Sequence, residues 1–123
     1  GDEHIMIVDD EDSVLQSTRG FLEDHGYTVH TFTNGMDALK SFQKKPDKFD
    51  LIITDITMPQ LSGDNLSIEV LKLKPELPII LISGNIEKVS DNLVSEIGVK
   101  RRITKPIDMR LFMVILRDAL DNP

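Results

Sequence analysis

Asp55 closes the apolar run Leu51-Ile52-Ile53-Thr54 just ahead of Met58-Pro59, while Asp9-Asp10-Glu11 follows Ile5-Met6-Ile7-Val8 and Lys105-Pro106 follows Arg102-Ile103-Thr104. Asp9, Asp10 and Asp55 would repel one another if gathered, so such a cluster calls for a cation or a proton to relieve it. An all-oxygen donor set favours a hard cation. Magnesium is held characteristically through one or two carboxylates plus phosphate oxygens, and the D-x-[DN]-x-[DN]-G spacing of a calcium loop is absent. Lys105 offers a positive charge to an anion bound beside the ion, and Ser83-Gly84 offers a hydroxyl and a sterically open backbone N–H. These are the parts needed to move a phosphoryl group onto Asp55, a reaction that depends chiefly on positioning and charge neutralisation.

Such residues meet only if the ends of the apolar runs share one edge. Strand signals recur at Ile5 to Val8, Thr28 to Phe32, Leu51 to Thr54, Ile79 to Ile82 and Arg101 to Thr104, with intervals long enough for helices. Asp12 or Ser13 is the expected cap of a first helix in which Val14, Leu15, Thr18, Phe21, Leu22 and His25 keep helical spacing until Gly26. Asn34 caps a second, with Ala38, Leu39 and Phe42 on one stripe, and Gly63 to Leu73 forms a third. Ile86, Val89, Leu93 and Ile97 line a fourth that stops at Gly98, and Asp108 through Leu120 forms a fifth. Five βα units predict an α/β fold with right-handed crossovers and a doubly wound parallel sheet, whose strand ends make the rim where ligand groups gather. The second strand, broken by His30 and threonines, is expected at an edge. The last helix carries apolar residues over a wider arc than the ~100° one buried face needs, and Met109, Met113 and Leu116 are expected to await a partner.

The 123 residues suit one domain, 1–123, and 40% apolar content is enough for a core. The sequence has no cysteine, which excludes disulfides and thiolate chemistry and fits a cytoplasmic location. No apolar stretch approaches the ~20 residues needed to span a bilayer, so no membrane contact is expected. A net charge of −7 disfavours direct nucleic-acid binding, and Lys100-Arg101-Arg102 reads as a solvated strand entry. The start at Gly1-Asp2-Glu3 reads as trimmed and the segment as cut from a longer protein.

Taken alone, an Asp at a strand end is commonly a helix cap, and Ser-Gly commonly a turn; the weight lies in their joint placement. With IMIVDDED, LIITDITMPQLSG, PIILISG and RRITKP in this order, essentially the whole chain resembles the receiver domain of two-component response regulators. The resemblance implies a flavodoxin-like five-stranded parallel sheet in order 2-1-3-4-5 flanked by five helices. It makes Asp55 the phosphoacceptor, served by a histidine kinase or phosphotransfer protein. Asp9, Asp10 and the backbone carbonyl of Thr57 join Asp55 around Mg2+, with Asp10 the expected direct ligand. Ser83 and Lys105 bind the phosphoryl group, and Pro106 follows a cis bond. Signal output, including homodimer formation, is expected on the face of the fourth helix, fifth strand and fifth helix. Arg102 departs from the pattern, standing where the family usually has Tyr or Phe, so the shift is expected to travel through backbone around Asn85 without a ring rotamer change. TDITMPQLSG with PELPIILISG is also similar to receivers of hybrid sensor histidine kinases.

A haloacid-dehalogenase-like phosphatase would use similar parts, but its D-x-D-x-T/V signature is missing both at Asp9-Asp10-Glu11-Asp12-Ser13 and at Asp55-Ile56-Thr57. A degenerate receiver, used only for contacts, would have lost the acceptor, an acidic ligand or the lysine. All are present.

Overall fold

Period-two alternation decides the two faces of the sheet. Ile5 and Ile7 point one way and Met6 and Val8 the other, and all four are buried, which is the pattern of a strand covered on both sides. The computed structural model describes residues 2–58, 60–84 and 98–123. Its strands are β1 (His4–Val8), β2 (Thr28–Phe32), β3 (Leu51–Asp55), β4 (Ile79–Ser83) and β5 (Arg101–Thr104), all parallel and ordered β2-β1-β3-β4-β5. β3 and β4 are buried throughout, whereas β2 buries only Val29, as befits the expected edge.

Helices α1 (Asp12–Asp24), α2 (Gly35–Lys44), α3 (Gly63–Leu73) and a C-terminal helix (Met109–Asp121) surround the sheet. Phe42 of α2 and Leu66 and Val70 of α3 pack with Met6, Ile52 and Leu81 on one face. Leu15 and Leu22 of α1, with Phe112 and Leu116 of the C-terminal helix, pack with Ile5, Ile53 and Ile80 on the other. Each such side chain removed from water contributes about 1.5–3 kcal/mol before the entropy of ordering it is subtracted. The expected fourth helix and Asn85 lie outside the described residues, as does Pro59. A short 3-10 turn at Pro46–Lys48 was not anticipated.

Caps follow local chemistry. Asn34 Oδ1 accepts the Asp37 N–H at 2.8 Å, and Asp108 Oδ1 accepts those of Arg110 and Leu111 at 2.9 and 3.3 Å. Neither Asp12 nor Ser13 caps α1; Glu11 occupies that position, with no side-chain cap bond. The cause is two residues upstream, where Asp9 Oδ1 accepts the Glu11 N–H at 2.9 Å and turns the chain into the helix early. The surplus apolar surface also differs from expectation. Leu116 is fully buried and Met109 and Met113 pack against the core, so the exposed apolar residues of the C-terminal helix are Leu111 and Val114.

Gly63 controls how the chain leaves β3. Its N–H donates to the Ile56 carbonyl at 2.8 Å, and a Cβ there would collide with the Asp55 carbonyl. Because backbone on both sides fixes this approach, Gly63→Ala is expected to destabilise the fold by about 3 kcal/mol, measured by urea unfolding.

Candidate acidic site at the carboxyl rim

Register brings the charged residues together. Val8 lies beside Thr54, so Asp9 leaves β1 level with Asp55, while Asp55 lies beside Ile82 and Ser83 beside Thr104. Lys105 follows one step beyond, its N–H donating to the Ser83 carbonyl at 2.7 Å, and its bond to Pro106 is cis. Asp9, Asp55 and Ser83 are buried and Asp10 is exposed. Asp9, Asp10 and Asp55 each present an oxygen within 4.8 Å of the others'.

Among the described residues, Lys105 is the cation of this site. Its Nζ lies 3.1 Å from Asp55 Oδ2, 3.7 Å from Asp9 Oδ2 and 3.5 Å from Glu11 Oε1. Burial works against its charge, but the Asp55 hydrogen bond and the charges of Asp9, Asp55 and Glu11 outweigh it and hold its pKa above the ordinary value. Asp9 is also pushed above the usual carboxylate range. Burial is the main cause, reinforced by Asp55 and Glu11 and opposed by the Glu11 amide and Lys105. The ionised form of Asp9 is therefore under-compensated.

The two oxygens of Asp9 differ. Oδ1 is held by the Glu11 amide, whereas Oδ2 is buried without a hydrogen-bond partner. A buried carboxylate oxygen left this way costs about 1–3 kcal/mol or more, and a hard cation between the carboxylates would satisfy it. The donor set therefore fits a metal ion of the magnesium type. The Thr57 N–H approaches Asp55 Oδ1 at 3.4 Å, which places this exposed residue at the mouth.

Sequence reasoning passed over Glu11, the third carboxylate on Lys105. Its place directly after Asp10 was the available signal, since the cap of α1 sits at the rim beside the two aspartates. Arg102, half-buried on β5, stands where an aromatic was the expectation of the family pattern.

A family model described as the response regulator receiver domain matches residues 5–117. The sensor kinase CckA of Brucella abortus is 26% identical over 122 residues, covering 99% of this chain but only 13% of its own length. The chain thus spans a minor part of that relative. A response regulator receiver domain protein from Clostridium thermocellum superposes with a TM-score of 0.91 at 27% identity, covering 97% of this chain and 94% of that one. The response regulator TrrA of Thermotoga maritima, in complex with Mg(2+)-BeF, superposes with a TM-score of 0.85 at 29% identity, covering 96% and 99%.

Proposed function

The chain belongs to the response regulator receiver domain family, a phosphoacceptor signalling family, and from that premise we propose that Asp55 is the acceptor. The observation that carries this reading is Asp55 itself, buried at a strand end, 3.1 Å from Lys105 and within reach of two further carboxylates. A phosphohistidine of a histidine kinase or phosphotransfer protein supplies the group. A carboxylate oxygen of Asp55 forms the new P–O bond as the P–N bond breaks and the imidazole leaves with the electron pair.

Asp9, Asp10, Asp55 and the Thr57 carbonyl are the residues that would hold Mg2+, and the fit rests on the buried Asp9 Oδ2, which accepts no hydrogen bond, and on the oxygen-only donors. Bound there, the ion supplies neutralisation of phosphoryl-oxygen charge. Lys105 passes from Asp55 to the phosphoryl oxygens, and the Ser83 hydroxyl donates to them. These residues assist phosphorylation and dephosphorylation of their own domain. The TrrA complex, which pairs magnesium with BeF, supports the same assignment here.

Output is proposed on the exposed side of β5 and the C-terminal helix, around Leu111 and Val114, including contact with a second copy. No helix among the described residues is long and apolar enough to cross a membrane, and a cytoplasmic setting suits a kinase partner. The parent is either a stand-alone relay receiver or a longer protein such as a hybrid histidine kinase.

The test is incubation with a small phosphodonor and magnesium, read by intact-protein mass spectrometry. One phosphoryl group is expected, labile to hydroxylamine as an acyl phosphate must be. Lys105→Ala is expected to keep or tighten magnesium binding, measured by calorimetry, because it removes a competing cation, while losing most of the conformational response to phosphorylation.

A further inference from the structure

Far from the acidic rim, at the entry to β1, the imidazoles of His4 and His30 meet. His4 Nδ1 and His30 Nε2 are 3.0 Å apart, the ring planes differ by 16° and the ring centres are 5.3 Å apart. That centre-to-centre separation is the nitrogen–nitrogen distance lengthened only by the two rings' own radii. The rings therefore lie end to end in nearly one plane, not face over face. The contact is an in-line N–H···N hydrogen bond, in which one nitrogen brings the proton and the other a lone pair. A metal chelate would need both lone pairs aimed at a third point, and these are aimed at each other. Among the described residues, the metal-type cluster of three or more side chains is Asp9, Asp10 and Asp55.

The surroundings give the pair something to hold. β1 sets Met6 beside His30 and His4 beside Thr28, so the histidines sit diagonally on the sheet face that carries Met6. The His30 ring meets Phe49 edge-on, 5.3 Å between centres at 88°, and Phe49 lies against Phe42 at 6.0 Å. The pair thus ties edge strand β2 to β1 and to the aromatic cluster under α2. Lys48, with its Nζ 5.6 Å from the Phe49 ring centre, and Arg19 of α1 act on His30 as positive charges. Asp50 Oδ2 accepts the His4 backbone N–H at 2.8 Å. Burial foremost, then Lys48, His4 and Arg19, hold His30 below the ordinary histidine value.

We propose that His4 and His30 form a proton-operated latch on the β2 edge, closed while the pair carries at most one added proton and opened by the second. The neutral pair shares one N–H across the contact. A first proton can enter on an outer nitrogen and leaves the shared bond in place, now charge-assisted. The second must occupy the accepting nitrogen, which sets N–H against N–H between two cationic rings already facing Lys48 and Arg19. The bond is lost, the rings separate, and β2, paired to one strand only, loosens at its start. This inference is independent of the phosphoryl chemistry.

Side-chain NMR of the imidazoles against pH tests it, together with hydrogen exchange of the Thr28 to Phe32 amides. His30 is expected to take up its proton below the ordinary histidine value, as the lower of two steps. Exchange in β2 is expected to rise about tenfold across the lower step while β3 amides hold. His30→Gln, which can bond His4 without titrating, should abolish that rise, and His4→Asn serves if the first variant fails to fold. Independent single-step titrations would overturn the latch, as would an equal rise in β3 or a rise unchanged in the variants. Zinc binding that quenches both steps would overturn it in favour of a metal site.

Discussion

Asp55→Asn is expected to reduce phosphoryl incorporation to background, whether the donor is a small molecule or a phosphohistidine protein. The amide keeps the shape of the side chain but offers no anionic oxygen to form an acyl phosphate. Asn also removes one of the charges crowding Asp9, so the fold should survive, and a circular-dichroism melt on the same sample separates loss of chemistry from loss of structure. Undiminished labelling of this variant would move the acceptor elsewhere. Steady turnover of many phosphomonoesters by the wild type would instead favour haloacid-dehalogenase-like chemistry.

Magnesium should raise the stability of the folded chain by about 2.7 kcal/mol at 100 times its dissociation constant, since the unfolded chain has no gathered carboxylates to bind it. For a domain of this size that corresponds to a melting-temperature increase of roughly 10 °C. A scan of melting temperature against magnesium, with millimolar or weaker affinity expected, provides the measurement, and a flat response would contradict an intact metal site. Asp10→Asn should weaken the response. Relief of the metal-free protein should come instead from Asp9→Asn, because Asp9 is the buried carboxylate whose ionised form is held back, whereas Asp10 is exposed. A melting temperature for metal-free Asp9→Asn at or below wild type would show that the repulsion is already compensated.

Much of this architecture could be read from local pattern because parallel strands buried on both faces are near-continuous apolar runs. β2 and β5 span Thr28–Phe32 and Arg101–Thr104 as the runs predicted, and α3 spans the expected Gly63–Leu73. What remained hidden was set by contacts distant in sequence or by competition at one residue. Strand order depends on crossovers that leave no local mark, and it came from resemblance alone. The α1 cap was misassigned because Asp9 took up the Glu11 amide before Asp12 could act. Leu116 was expected to be exposed because helical spacing gives an arc but not which side of it meets the sheet. The Glu11 contact with Lys105 spans 94 positions, a separation that leaves no local mark. The His4–His30 pair also joins separate strands, and two isolated histidines in a sequence give no sign of meeting.

The three-way setting of Lys105 bears on how quickly the site can change state. An ammonium with one buried partner would have to cross bare low-dielectric space to leave it, and that gap would act as a kinetic barrier. Here Asp55, Asp9 and Glu11 stand 3.1, 3.7 and 3.5 Å from the same nitrogen, so it can lean from one to the next without ever being stripped of a counter-charge. Glu11, at the solvent end, serves as a stepping stone. If Asp55 accepts the phosphoryl group as proposed, the handover of Lys105 to an incoming phosphoryl oxygen would be a short slide along a row of acids, limited by arrival of the donor.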